Sequence, residues 1–165
     1  MLQADRFSND LADLEPIDTV CRCALAQVNA FEEANMAVDF NHTIVAARDS
    51  QKSATFLANM LALPAPKRWG PFQMVTTHNG ANIDFMNTDD DITPQHYAFL
   101  VSEGEFDQIF GRIREQRLSY WADPGQTKSN EINHHDGGRG VYFKDPDGHL
   151  LEVITRQYGS GGWNP

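Results

Sequence analysis

Apolar and polar positions alternate along this chain with two different periods, and the periods come in turn. "DFNHTIVAA" (Asp39–Ala47) alternates every second residue and predicts a strand. Over Ser50–Leu61 the period lengthens. Ala54, Leu57 and Leu61 share one helical face there, and Asp49 stands where a cap belongs. Pro64 and Pro66 stop that helix. "FQMVTT" and "ANIDFMN" then flank His78-Asn79-Gly80, whose Asn-Gly pair predicts a tight hairpin.

The second half repeats the order strand, helix, strand, strand. "QHYAFLV" (Gln95–Val101) predicts a strand, and Ser102 with Glu105 makes a capping box. The helix it opens carries a stripe of Phe106, Ile109, Phe110 and Ile113. Strands are expected over Leu118–Trp121, Arg139–Phe143 and His149–Thr155, with a long polar loop at Ala122–Gly138 and a turn at Asp145-Pro146-Asp147-Gly148.

Such a repeat predicts an α+β domain over residues 39–158, built from modules 39–90 and 91–158. They would form a curved mixed sheet with helices outside and a concave inner groove. Residues 1–38 read as a separate extension with a helix over Glu15–Ala34, and 159–165 as a flexible tail. Met36 offers a natural start for the compact domain.

Charge narrows the partners. The net charge of −10 repels nucleic acid and anionic membrane. No apolar run approaches the roughly 20 residues a bilayer span needs. The N-terminus lacks a basic-then-apolar export signal, so a cytoplasmic protein is expected. Cys21 and Cys23, one residue apart, are too close for an easy mutual disulfide and read as reduced thiols.

Three side chains break the apolar faces of the predicted strands. His42 shares a face with Phe40, Ile44 and Ala46, and His96 shares one with Ala98 and Leu100. Glu152 lies between Leu150 and Ile154, where a carboxylate is costly unless something pairs with it. The two histidines occupy equivalent places in the repeat. Two imidazoles and a carboxylate hold a divalent cation on one side and leave positions open for water or substrate.

"NHTIVAA", "QHYAFLV" and "YFKDPDGHLLEVIT", in this order and spacing, resemble the vicinal oxygen chelate superfamily of glyoxalases, extradiol dioxygenases, fosfomycin-resistance thiol transferases and bleomycin-binding proteins. The resemblance spans about Asp39–Gln157. It implies paired βαβββ modules and metal ligands at His42, His96 and Glu152. It also implies a homodimer in which His42 of one chain meets His96 and Glu152 of the other.

Asn133, His135, Val141-Tyr142, Asp145-Pro146, Gly148 and Glu152 further resemble the extradiol ring-cleavage signature. That implies Fe(II), with Mn(II), Zn(II), Ni(II) or Co(II) as alternatives, and a small, catechol-like substrate chelating through adjacent oxygens. Tyr142 is then the phenol donating to a substrate oxygen. His78 is the candidate acid/base, and His135 is its alternative.

Glyoxalase chemistry would need a second carboxylate at the end of the first module, where Asp84 stands. Thiol transfer to a phosphonate would need Lys and Ser in the Asn133–Gly140 loop, which holds neither. That loop instead offers glycines and Arg139 as an anion-binding candidate. A metal-free drug-binding groove is the remaining alternative. Trp69, Phe72, Phe85, Phe99 and Trp121 read mostly as core, and His149 as structural.

Overall fold

The computed structural model describes residues 38–161, and a compact unit begins at Phe40. The expected helix over Glu15–Ala34 and the cysteine pair lie outside the described residues.

The first module runs β1 (His42–Ala47), α1 (Ser50–Leu61), β2 (Lys67–Trp69), β3 (Phe72–Thr76) and β4 (Asn82–Asn87). Asp49 caps α1 by accepting from the Lys52 amide at 3.0 Å. The hairpin turns at Gly80, where φ is +85° and a side chain would be strained. β2 is an addition to the sequence reading. Its Lys-Arg-Trp run is exposed and pairs only along the sheet edge with β3.

The second module runs β5 (His96–Leu100), α2 (Glu103–Glu115), β6 (Tyr120–Trp121), β7 (Gly140–Lys144) and β8 (Leu150–Ile154). Both halves of the capping box form: the Ser102 hydroxyl accepts from the Glu105 amide, and the Glu105 carboxylate accepts from the Ser102 amide at 2.7 Å. Between β6 and β7 the polar loop is tied down by bridges Trp121–Ser129 and Asn133–Gly140 and by a short 3-10 turn at His135–Gly137.

Each module closes a four-stranded mixed sheet of its own, ordered β1-β4-β3-β2 and β5-β8-β7-β6. The first and last strands of each module lie side by side and parallel, and the other pairs are antiparallel. The sheets bury one face against the helices through Val45, Phe85, Val141 and Val153, together with Leu57, Phe106 and Ile109. The helices also meet, with Arg112 Nη1 donating to the Met60 carbonyl at 3.1 Å.

The turn before β8 locks the modules together. Asp147 accepts from the Arg48 amide at 2.9 Å. His149 is buried and spans both modules: Nε2 donates to the Ala46 carbonyl at 2.9 Å, and Nδ1 accepts from the Gln95 amide at 3.0 Å. Its role is structural, as its position off the Glu152 face suggested.

The opposite sheet faces carry exposed apolar side chains on their outer strands. Phe40 and Ile44 are 65% and 50% exposed beside His42, and Leu100 is 56% exposed on the face of His96.

Candidate metal centre

The parallel pairing of β5 and β8 sets Ala98 beside Glu152 and His96 beside Leu150. Side chains two residues apart on a strand share a face. His96 and Glu152 therefore project from the same side of neighbouring strands, and His96 Nε2 lies 3.2 Å from Glu152 Oε2. The Glu152 side chain is 1% exposed and that of His96 is 43% exposed, so the pair is open to solvent on the imidazole side only.

The second carboxylate oxygen, Oε1, accepts from the Tyr158 hydroxyl. A carboxylate can only accept, so the 3.0 Å contact between the Tyr142 and Tyr158 hydroxyls is Tyr142 donating to Tyr158. Burial, reinforced by the Glu152 carboxylate, pushes the Tyr158 phenol up to about 12. The same causes carry Tyr142 further still, so both remain protonated donors. The Tyr142 ring also tilts against the His96 imidazole, with centroids 5.7 Å apart.

Tyr158 is the residue that strand periodicity missed. It lies six positions beyond Glu152, past the end of β8, where alternation assigns no face. His135 stands next to it, its ring 6.1 Å from the Tyr158 ring. The tail expected to be flexible is ordered through Gly161. Buried Asp136 accepts from the Gly159 amide at 3.1 Å and from the Gly161 amide at 3.2 Å.

Module one repeats the arrangement in reduced form. Ile44 lies beside Asp84 as Ala98 lies beside Glu152, so Asp84 shares a face with His42. Asp84 is buried, and its Oδ1 has no hydrogen-bond partner among the described residues. Desolvation raises its pKa, and the nearby His42 pulls it partly back. The His42 Nδ1 contacts Asn41 Oδ1 at 2.7 Å. Among the described residues, no three His, Cys, Asp or Glu side chains converge in one chain.

Packing gives two of the candidate side chains surroundings of their own. His78 is at the β3–β4 hairpin, where it lines a cavity with Glu105, Gln108 and Arg112 of α2. Among the described residues of one chain, no hydrogen bond, ion pair or ring contact links it to His96, Glu152 or Tyr142. Arg139 is not available as an anion binder. Its guanidinium pairs with Glu103 and Asp107 at 2.6 Å each and lies 4.4 Å over the Phe106 ring.

Residues 39–153 match the model of the Glyoxalase/Bleomycin resistance protein/Dioxygenase superfamily. The chain belongs to this superfamily. Two oxidases of solved structure, ChaP-H1 and ChaP-H2, are 58% and 59% identical to it, with TM-scores of 0.74 and 0.75. The alignments cover 75% and 77% of this chain and 100% of each oxidase. Glutathione transferase FosA from Serratia marcescens is 32% identical over 126 residues, covering 72% of this chain and 81% of the transferase. At the level of fold alone, FosX from Mesorhizobium loti superposes with a TM-score of 0.52 at 18% identity.

Within this vicinal oxygen chelate fold, the side chains present fit a divalent cation. Imidazole and carboxylate donors suit such an ion, and the buried Glu152 carboxylate has one oxygen fixed by a phenol and the other beside an imidazole. One chain brings together two of the three expected donors, His96 and Glu152. The third, His42, is on the exposed face of the other module. No helix among the described residues is long and apolar enough to cross a membrane.

Proposed function

We propose that this protein is a metal-dependent oxidase acting on a small substrate that chelates through adjacent oxygens, with Fe(II) as the favoured metal and a catechol-like substrate. The single observation that carries this reading is the His96–Glu152 pair, a buried carboxylate held beside an accessible imidazole. The third donor is His42 of a second copy. The open faces bearing His42 with Ile44 and His96 with Leu100 support that assembly, since apolar sheet faces of this kind are covered in stable proteins.

A divalent cation held there supplies Lewis acidity toward two vicinal oxygens and, as Fe(II), electrons for chemistry with O₂. The chain's own residues handle protons and orientation. Glu152 and His96 anchor the cation. Tyr142, kept protonated by burial, would turn its one hydroxyl proton from Tyr158 to a substrate oxygen. His135, whose ring lies against that of Tyr158, is the acid/base candidate this reading favours. His78, against α2, is given no part.

Identity over the full length of two oxidases supports oxygen chemistry ahead of thiol transfer. A second reading, a glyoxalase-type lyase, draws on Asp84. Its equivalence to Glu152 and its unpartnered oxygen suit a fourth donor.

The test is anaerobic Fe(II) loading followed by oxygen uptake in the presence of catechols. Oxygen consumption dependent on both metal and catechol, and abolished in Glu152→Gln, is the expected result. Metal-dependent isomerisation of a hemithioacetal without oxygen uptake would favour the lyase, and absence of metal binding would end both readings.

A further inference from the structure

The C-terminal segment after β8 performs a task that strand periodicity does not assign. It leaves the sheet at Ile154, crosses back over the loop between β6 and β7, and is fastened there at several points. Thr155 exchanges hydrogen bonds with Arg139: its amide donates to the Arg139 carbonyl at 2.9 Å, and its hydroxyl accepts from the Arg139 amide at 2.9 Å. Arg156 Nη1 donates to the Asp136 carbonyl at 3.0 Å. The Asp136 carboxylate takes the amides of Gly159 and Gly161, one on each oxygen.

The fit is close. A Cβ on Gly161 would run into the Asp136 backbone, and one on Gly138 would come within 2.9 Å of the Thr155 hydroxyl. Asp136 itself is held at φ +54°, a left-handed conformation costly for a residue other than glycine. A buried carboxylate in a strained turn, with both oxygens on the tail, indicates a segment whose position matters. The residue this clasp delivers is Tyr158, immediately before Gly159, whose hydroxyl reaches Glu152 Oε1.

We propose that Tyr158 is a positioning residue for Glu152, and that the Asp136 clasp exists to hold it there. This rests on the reading of His96 and Glu152 as metal donors. Without the Tyr158 hydroxyl, Oε1 is buried with only Tyr142 close by. The carboxylate then has one phenol fewer holding the orientation that presents Oε2 alongside His96. Partners of this kind orient a ligand without touching the cation, and their loss typically weakens metal affinity by roughly 10–100-fold.

The experiment is Co(II) titration of the full chain, read by the visible absorption of the bound ion and by calorimetry. It is run on wild type, Tyr158→Phe, Asp136→Asn and the double variant, with each variant's unfolding midpoint measured without metal. Tyr158→Phe keeps the ring and removes one hydroxyl. It is expected to weaken Co(II) affinity about 10–100-fold and shift the absorption band, while moving the midpoint little. Asp136→Asn is expected to weaken affinity in the same direction, and the double variant to lose no more than Tyr158→Phe alone, because both act through one hydrogen bond.

Wild-type affinity and spectrum in Tyr158→Phe would overturn the proposal while leaving the metal site standing. Additive losses in the double variant would overturn the link to Asp136. Failure of wild type to bind Co(II) at all would instead remove the metal reading on which the proposal rests.

Discussion

Asp84 and Glu152 occupy the same position in the two modules, each two residues beyond the partner of a strand-opening histidine, yet their surroundings differ. Glu152 has His96 on one oxygen and Tyr158 on the other. Asp84 has a buried oxygen with no partner among the described residues. The repeat has kept the carboxylate's location and furnished only one copy with supporting phenols.

That contrast predicts that the Asp84 carboxylate costs stability in metal-free protein. Burial raises the Asp84 pKa, so ionising it costs more in the folded chain than in the unfolded one. The penalty is absent at pH values below the unfolded carboxyl's titration. It grows as pH rises toward the raised folded value and stays in force above it. Asp84→Asn should therefore raise stability at neutral pH by about 1 kcal/mol and flatten the profile across that window. Denaturant unfolding from pH 3.5 to 8 checks this.

His149 is predicted to matter for folding and not for chemistry. His149→Ala removes two hydrogen bonds of a buried side chain that join β1 to the start of β5. A loss of roughly 2–4 kcal/mol in denaturant unfolding is expected. Any protein that remains folded should bind metal as wild type does.

Tyr142 should separate binding from turnover. With Tyr158 still on Glu152, Tyr142→Phe is expected to keep its metal content. It should lose about 100-fold in kcat, the scale of removing one donor to a charge-bearing oxygen. Metal analysis together with steady-state oxygen uptake distinguishes this from loss of the site.

The local elements were legible in the amino-acid pattern because their causes are local. Asp49 and the Ser102/Glu105 box set the helix starts, and Asn79-Gly80 set the hairpin, each acting within a few residues. β2 was not legible: three exposed residues at a sheet edge carry no alternation to detect. His96 and Glu152 were readable as chemistry because each interrupts an apolar face. Their juxtaposition depended on parallel pairing across more than fifty residues of chain. The surroundings of Arg139 and His78 were not legible for a related reason. Whether a cation is already taken by Glu103 and Asp107, or a histidine is turned toward α2, depends on packing that no spacing rule encodes. Tyr158 was hidden because the residues after a strand have no assigned face.

In the proposed site, His42, His96 and Glu152 grip one cation between two copies of the chain. His42→Ala and His96→Ala variants, each expected to bind almost no Fe(II) or Co(II) alone, provide the direct measurement when co-expressed and purified as a mixed dimer. A shared site predicts that the mixed dimer regains one wild-type-like metal site, since one of its two sites combines the intact His42 of one chain with the intact His96 and Glu152 of the other. A mixed dimer with no more metal than either variant alone would contradict it.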